Sequence, residues 1–221
     1  MFAQLTTETE KGHLFNLLAS YGIKDTVLAA FEAVPREFFV EKAFQDSAYE
    51  DRALPIGEGQ TISQPSLVGT MLEALDLHGD EKVLEVGTGS GFQAALLGRL
   101  AKKVYTIERI PTLASLARGP LKELGLLNVK AVVGDGTLGL ARHAPYDAII
   151  VTAAFTSVPA PLIRQLREAG RLIMPVGDQN EQEVVLYKKL VGKLVAIRKI
   201  APVRFVPLIG KHAWDIINRT S

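Results

Sequence analysis

Residues 83–92 read Val83-Leu84-Glu85-Val86-Gly87-Thr88-Gly89-Ser90-Gly91-Phe92. A short apolar run with one acidic residue leads into three glycines at alternate positions, and an apolar helical pattern follows from Gln93 to Leu100. This order predicts a strand, a glycine turn and a helix, which bring bare backbone to a ligand at the edge of a parallel sheet. The dinucleotide fingerprint G-x-G-x-x-G does not fit, since Phe92 stands where its third glycine is required. On this stretch alone, a tight turn without a ligand remains a competing interpretation.

Two further runs weigh against a ligand-free turn. Val104-Tyr105-Thr106-Ile107-Glu108 is a β-branched run that ends in a carboxylate, about twenty residues after the loop. An acid at the tip of the second strand accepts hydrogen bonds from both ribose hydroxyls in nucleoside-binding α/β folds, so Glu108 is predicted to bind a ribose. A third run, Val129 to Val133, ends in Gly134-Asp135-Gly136, where an Asp between glycines is most often a turn residue.

The loop spacing G-x-G-x-G closely resembles that of class I S-adenosylmethionine methyltransferases. The resemblance implies that Asp135 accepts a hydrogen bond from the adenine amino group, and that S-adenosyl-L-methionine is the cofactor. The residues that we expect to bind this cofactor are Gln60, Thr61, Ile62, Glu85, Gly87, Thr88, Gly89, Ser90, Glu108, Arg109, Asp135, Gly136 and Thr152.

Composition favours a soluble enzyme with one substantial core. The chain has 221 residues, 48% of them hydrophobic, and a formal net charge of +1, so nothing favours nucleic acid or a membrane as the main partner. No apolar run is long enough to span a membrane and the N-terminus lacks a basic secretion signal, so we expect a cytoplasmic monomer. The absence of cysteine excludes disulfides, thiol catalysis and thiolate zinc sites. The four histidines have no ligand-like spacing, so no metal site is expected; they are His13, His78, His143 and His212.

The chain divides into three regions. Residues 1–79 show helical spacing, a Gly- and Pro-rich loop over 51–63 and a helix over 65–77, which predicts a helical cap with a substrate loop. Residues 80–177 alternate strands and helices and form the predicted cofactor-binding core, with later elements at 146–151 (strand), 161–168 (helix) and 171–175 (strand). Residues 178–221 contain two β-rich runs, 183–189 and 193–206, predicted to pair antiparallel.

These patterns predict one α/β domain over residues 1–221. We expect a Rossmann-like class I methyltransferase sandwich, with a mostly parallel sheet, antiparallel C-terminal strands and a helical N-terminal cap.

Three segments outside the cofactor loop bear on the methyl acceptor. The run from Leu54 to Pro65, which contains Thr61-Ile62-Ser63, resembles the signature that precedes the cofactor domain in protein-L-isoaspartate O-methyltransferases. Val34 to Val40 and Arg204 to Gly210 resemble that family's N-terminal and C-terminal segments. Two residues depart from the family pattern: Ser66 stands where an aromatic residue or His is common, and Ile209 where some members carry Thr.

The resemblance implies methyl transfer to the free α-carboxyl of isoaspartyl residues in damaged peptides and proteins, and the resulting ester collapses to a succinimide. A carboxylate with a pKa of about 4 is ionised at neutral pH, so no base is needed to create the nucleophile. Catalysis then comes mainly from orientation, and a neutral hydroxyl is suited to hold the acceptor. We predict Ser63 as this catalytic residue, with a helix N-cap as its alternative role.

The C-terminal segment is predicted to receive the peptide. A strand-like run with free backbone groups pairs with an extended peptide and specifies its side chains weakly. The predicted substrate-binding residues are Ser63, Val206, Pro207, Leu208 and Ile209.

The sequence alone leaves two other functions open. A class I methyltransferase for a small molecule or nucleic acid would explain the loop but leaves the Thr61-Ile62-Ser63 and Arg204-to-Gly210 matches unexplained. A non-catalytic module that senses the cofactor is the second alternative.

Overall fold

The computed structural model describes residues 2–215, and side chains from Thr9 onward. The chain begins with two helices, α1 (Phe2–Ser20) and α2 (Asp25–Glu32), as the helical spacing predicted. Two short 3-10 helices follow, over Arg36–Phe39 and Lys42–Ser47. These elements pack on the main sheet and supply much of the larger of two hydrophobic clusters.

The segment predicted as a loop contains a small antiparallel pair. Strand β1 (Leu54–Pro55) pairs with β2 (Thr61–Ile62), and the intervening turn has positive φ at Gly57, Glu58 and Gly59. Helix α3 (Pro65–Leu75) starts three residues after β2 and ends at Asp76, which adopts the left-handed conformation. The pair is too short for its alternation to be visible in the sequence, but it fixes the residues just before α3.

The central sheet has seven strands in the order β5-β4-β3-β6-β7-β8-β9. Its parallel part comprises β3 (Lys82–Val86), β4 (Lys103–Glu108), β5 (Val129–Val133), β6 (Tyr146–Val151) and β7 (Leu166–Gly177). Helices α4 (Phe92–Leu100), α5 (Pro111–Glu123) and α6 (Ala160–Gln165) connect these strands. The strand order reverses between β3 and β6, and in parallel sheets ligands bind beside such a switch point, at the carboxyl ends of the strands.

Helix α6 is shorter and strand β7 longer than the sequence predicted. The helix ends at Gln165 because Leu166 already pairs with Tyr146 across the sheet, before an irregularity that returns the register at Arg171. The positive φ of Ala169 lies in this irregular part.

Two antiparallel strands complete the sheet. Strand β8 (Gln182–Leu190) pairs with β7, and β9 (Lys193–Val203) pairs with β8 as the last strand of the order, with register shifts near Val185 and Leu186. Strand β9 ends three residues earlier than predicted. The backbone N–H of Phe205 donates to Oε1 of Gln182 (2.7 Å) instead of continuing the ladder.

The two faces of the sheet carry separate cores. On one face of the sheet, the N-terminal helices pack with α3 and α4 in one hydrophobic cluster. On the other face, α6 and Leu208 pack against the inward residues of β3, β4, β6 and β7. Phe92, which stands where the dinucleotide fingerprint requires glycine, is 2% exposed and makes edge contacts with Phe31 and Phe39. Burying a side chain of this size contributes roughly 1.5–3 kcal/mol, so this position serves the core. The predicted α/β architecture with an antiparallel ending is confirmed.

Candidate active site

The loop after β3 brings backbone into an open cleft. Gly87, Gly89 and Gly91 all have positive φ, at 99°, 52° and 90°. A Cβ at Gly87 would collide with Oγ1 of Thr152, and a Cβ at Gly91 would lie 2.9 Å from Cβ of Ala117. Side chains at Gly87 and Gly91 are therefore excluded, and the loop places backbone atoms against the cleft where the strands end.

Thr152 ties this loop to the next strand. Its hydroxyl Oγ1 lies 3.1 Å from the carbonyl oxygen of Val86 and 2.9 Å from that of Gly87, and it donates to them. Its own backbone N–H donates to Val86 O at 2.9 Å. These contacts hold together the carboxyl ends of β3 and β6, between which the cleft opens.

Behind the loop lies a chain of buried hydrogen bonds. Oγ1 of Thr106 donates to Oε2 of Glu85 at 2.6 Å, and Oγ1 of Thr106 and of Thr88 are 2.5 Å apart. Glu85 is fully buried, and burial raises the pKa of its carboxyl to about 8, with the hydrogen bond from Thr106 opposing the rise and Glu108 adding to it. Oε1 of Glu85 and Nε2 of Gln93 have no hydrogen-bond partner among the residues described. Glu85 therefore supports the loop from behind as a neutral acid at pH 7 and does not face the cleft.

Glu108 faces the cleft from the tip of β4. Its Oε2 accepts from the backbone N–H of Gly89 at 3.0 Å, and Oε1 accepts from that of Ile110 at 2.9 Å. These bonds fix the orientation of the carboxylate and leave lone pairs on both oxygens for a ligand. The geometry suits the predicted contact with two ribose hydroxyls, which stays a prediction.

Asp135 is engaged with the C-terminal segment. Its Oδ1 accepts from the backbone N–H of Thr137 (2.8 Å) and from the Thr137 hydroxyl (2.6 Å), while Oδ2 accepts from the N–H of Lys211 (2.8 Å). Gly136, its neighbour, lines the cleft. The carboxylate thus anchors residues 210–212 beside the cleft, and its predicted contact with adenine depends on the remaining lone pair of Oδ2.

The cleft takes in about 810 Å³, its open mouth included, and most of the predicted site residues line it. Of the predicted cofactor-binding residues it is lined by Gln60, Thr61, Ile62, Gly87, Thr88, Gly89, Ser90, Glu108, Arg109, Gly136 and Thr152. Of the predicted substrate-binding residues it is lined by Ser63, Val206, Pro207, Leu208 and Ile209. Only Glu85 and Asp135 of the predicted residues lie outside this lining.

Sequence reasoning missed several lining residues. These are mostly apolar and belong to the strand ends and to helices α3 and α4: Val68, Val86, Phe92, Gln93, Ile107 and Ala153. Their position directly beside the glycine loop and the strand tips was the available signal, but core packing explains the same residues equally well from sequence alone.

Ser63 stands where this cleft meets a second groove. The groove, of about 1000 Å³, shares Thr61, Ser63, Thr152 and Val206 with the cleft. The N-cap of α3 is Gln64, without a side-chain cap, and Oδ1 of Asp51 accepts from the N–H of Ser66 at 2.8 Å. The alternative role of Ser63 as an N-cap is therefore wrong, and within residues 2–215 its hydroxyl makes no hydrogen bond.

The backbone of Ser63 is held by a buried arginine. Nη2 of Arg36 donates to the carbonyl oxygens of Ser63 and Arg52, each at 3.1 Å, and Nη1 donates to Ala48 O. Its guanidinium carbon lies 5.8 Å from the centre of the Phe92 ring. Arg36 is 1% exposed, and burial lowers the pKa of its guanidinium to about 10, so it stays charged at neutral pH. Arg36 thus connects the N-terminal cap to the residue predicted to act on the substrate.

The C-terminal segment closes the cleft from the other side. The N–H of Ala154 donates to Val206 O at 2.8 Å, and the N–H of Leu208 donates to Ala154 O at 2.7 Å. Trp214 packs edge-on against Phe155, with ring centres 5.3 Å apart, as a packing anchor. Residues 206–208 are therefore held beside the end of β6, and Leu208 and Ile209 are buried.

The described chain has neither a metal-ligand cluster nor a membrane-spanning helix. Residues 2–215 contain no group of three or more metal-ligating His, Asp or Glu side chains. No described helix combines the length and apolar character needed to cross a bilayer.

These features define a class I S-adenosylmethionine-dependent methyltransferase. They are the parallel sheet, the glycine loop, the fixed carboxylate at the tip of β4 and the cleft at the switch point. The known proteins that the chain resembles narrow this class. The chain belongs to the protein-L-isoaspartate(D-aspartate) O-methyltransferase family, which matches residues 9–213.

Individual relatives agree with this assignment. The chain is 52% identical over 195 residues to protein-L-isoaspartate O-methyltransferase of Methanoculleus marisnigri, covering 88% of each chain. It is similar to a solved protein-L-isoaspartate O-methyltransferase with 33% identity and a TM-score of 0.84, over 92% of this chain and 67% of that one. A Plasmodium falciparum structure described as a complex with S-adenosyl-L-homocysteine shares the fold, with a TM-score of 0.77 and 22% identity, over 90% of this chain and 98% of that one. The predicted family, enzyme class and cofactor are confirmed.

Proposed function

We propose that this chain transfers the methyl group of S-adenosylmethionine to the free α-carboxyl of L-isoaspartyl residues, and that Ser63 orients the acceptor. The role of Ser63 is supported by its position where the cleft meets the groove and by its hydroxyl, which makes no hydrogen bond within the described residues. Membership of the family carries the substrate class.

The residues that line the cleft suit S-adenosylmethionine. The glycine loop excludes side chains where a nucleoside and its amino-acid chain would lie against backbone, and Glu108 offers two fixed oxygens to a ribose. Gln60, Thr61 and Ile62 enclose the same space from the side of the β1–β2 pair. When bound, S-adenosylmethionine supplies a methyl group on a sulfonium sulfur.

The protein's part in the reaction is orientation. The acceptor carboxylate is already ionised at neutral pH, so no residue has to remove a proton from it. The Ser63 hydroxyl donates one neutral hydrogen bond to one oxygen and leaves the other free to attack the methyl carbon. Holding the reacting groups in line is worth effective molarities of about 10⁵ M or more in favourable cases.

The acceptor segment completes the arrangement. Residues 206–209 line the same cleft as Thr61, Ile62 and Ser63, and among the described residues β9 has no strand partner on its outer side. Backbone groups at the end of this edge can hold an extended peptide with little selection of its side chains. A backbone amide nitrogen of the peptide then attacks the methyl ester, and methanol leaves as the succinimide forms. Water opens the succinimide partly to normal aspartate.

The first experiment separates the possible acceptors. The protein is incubated with methyl-labelled S-adenosylmethionine and an isoaspartyl peptide, with the matched aspartyl peptide as control. Label in the isoaspartyl peptide alone is expected. Label in both peptides, or label in neither, would refute the proposed acceptor.

A second experiment tests Ser63. Loss of a hydrogen bond to a charged group costs roughly 1.5–3 kcal/mol, so Ser63→Ala should lower kcat/KM for the peptide about 10- to 100-fold. S-adenosylhomocysteine affinity should stay unchanged, Ser63→Thr should recover part of the loss, and the exposed helical Ser115→Ala serves as matched control. Weaker cofactor binding with full turnover at saturation would mean that Ser63 only lines the cofactor cleft.

Three further properties are part of the proposal. Residues 1–221 act as one domain, which the core shared by the N-terminal helices and the sheet supports. The balanced charge supports a protein that acts without nucleic acid. A cytoplasmic monomer is consistent with the absence of cysteine.

A further inference from the structure

A second groove adjoins the active site. It runs between the start of α3 and residues 201–206 and takes in about 1000 Å³, its open mouth included. Because it opens into the cleft at Ser63, a peptide whose isoaspartyl group lies at Ser63 places its neighbouring residues in the groove. We call it the flank groove.

The described side chains that line the flank groove carry a net positive charge. Hydroxyl, amide and apolar side chains line most of it, and among the described residues Arg204 is the only charged one in the lining. The Arg204 side chain is exposed, and within the described part of the chain it forms no ion pair and no hydrogen bond. Two neighbouring charges have partners of opposite sign: Asp51 interacts with the buried Arg36, and Arg52 pairs with Glu50.

We propose that the flank groove binds the residues next to the isoaspartyl group, and that Arg204 makes it favour an acidic side chain there. This inference rests on the proposed function and adds a specificity determinant to it. A carboxylate in the flank would meet one unpaired guanidinium and no carboxylate among the lining residues. A lysine would meet the same guanidinium and be repelled.

The expected preference is modest because Arg204 is exposed to water. Exposed ion pairs contribute little and are screened by salt. We therefore expect kcat/KM for a Glu-flanked peptide to exceed that of its Lys-flanked counterpart about two- to fivefold at low ionic strength. The difference should shrink at about 0.5 M salt, where charges are screened within a few ångströms.

The test is a charge exchange. Isoaspartyl peptides with Glu, Gln or Lys on either side of the acceptor are assayed with the wild-type protein, Arg204→Gln and Arg204→Glu. The Gln variant should remove the preference and the Glu variant should reverse it. Arg198→Glu, an exposed arginine on β9, the strand that ends just before Arg204, but outside the groove, should leave the preference as in the wild type.

The outcomes distinguish this inference from the proposed function. An unchanged preference in Arg204→Glu, or a preference that Arg198→Glu reverses equally, would overturn the role of Arg204 while methylation itself continues. An equal loss for all peptides would also overturn it, because Arg204 would then bind the acceptor carboxylate and not the flank. Failure of every variant and the wild type to methylate any isoaspartyl peptide would instead refute the proposed function.

Discussion

Replacing the buried Glu85 by Gln should make the protein more stable than the wild type at alkaline pH. Glu85 has no exposed surface, and burial raises the pKa of its carboxyl from the ordinary 4.5 to about 8. Between these values the unfolded chain has lost this proton while the folded protein keeps it. The folded state therefore binds more protons, and the stability supplied by this group, complete below about pH 4.5, is lost as pH rises through 8.

The size of the effect follows from this linkage. Each pH unit in the window changes the free energy of unfolding by about 1.4 kcal/mol, so Glu85 makes the wild type lose about 2 kcal/mol between pH 6 and pH 8. Gln keeps the side-chain oxygen that accepts from Thr106 and does not titrate. The stability of Glu85→Gln relative to the wild type should rise by this amount over the interval and level off above it.

Urea unfolding at a series of pH values measures the difference, in the absence of cofactor. All other groups titrate alike in the two proteins, so the difference isolates position 85. The exposed Glu123→Gln serves as matched control. A difference between Glu85→Gln and wild type that stays constant from pH 6 to 8 would show that Glu85 is ionised in the folded protein, and would refute the reasoning.

Three other predictions follow from the site. Glu108→Ala should weaken S-adenosylhomocysteine binding by about 1.5–3 kcal/mol per lost charge-assisted bond, measured by calorimetry; unchanged affinity would contradict the ribose contact. Single-turnover methyl transfer at saturating cofactor should be flat between about pH 6 and 7.5, since no base is required. A rise near pH 7, abolished by replacing one of His13, His78, His143 or His212, would contradict this. Arg36→Met should lower the free energy of unfolding by about 2 kcal/mol or more, because one buried and two part-buried carbonyl oxygens lose their donor; a Tm equal to that of the wild type would contradict it.

The strands and the cofactor loop could be predicted because local chemistry determines them. Parallel strands buried on both faces appear in the sequence as short apolar runs. A turn that needs positive φ appears as glycine between the strand pattern and the helix pattern. The tips of β3, β4 and β6 therefore lay where the sequence predicted. Helix α6 was overestimated because Leu166 continues the helical spacing of Leu162 but belongs to strand β7.

The remaining features depend on contacts between distant parts of the chain. Asp135 binds Lys211, 76 residues away, and no pattern around Gly134-Asp135-Gly136 indicates that partner. Arg36 would ordinarily be expected at the surface, and its burial became visible only once its three carbonyl partners were placed. Glu85 was predicted to bind the cofactor, yet the alternation of β3 turns it toward the same face as Val83, behind the loop.

The outer position of β9 has a consequence for how this protein coexists with its substrates. A long free strand edge is a template for aggregation, and Val195 and Ile197 are 41% and 52% exposed on it. Lys193, Arg198 and Lys199 interrupt the apolar surface, Pro202 removes one backbone donor, and two register shifts distort the pairing with β8. The charged, irregular edge therefore disfavours pairing with the exposed strands of other chains. The proposed function requires peptide binding only at the short stretch beyond Val203, which lies outside this edge.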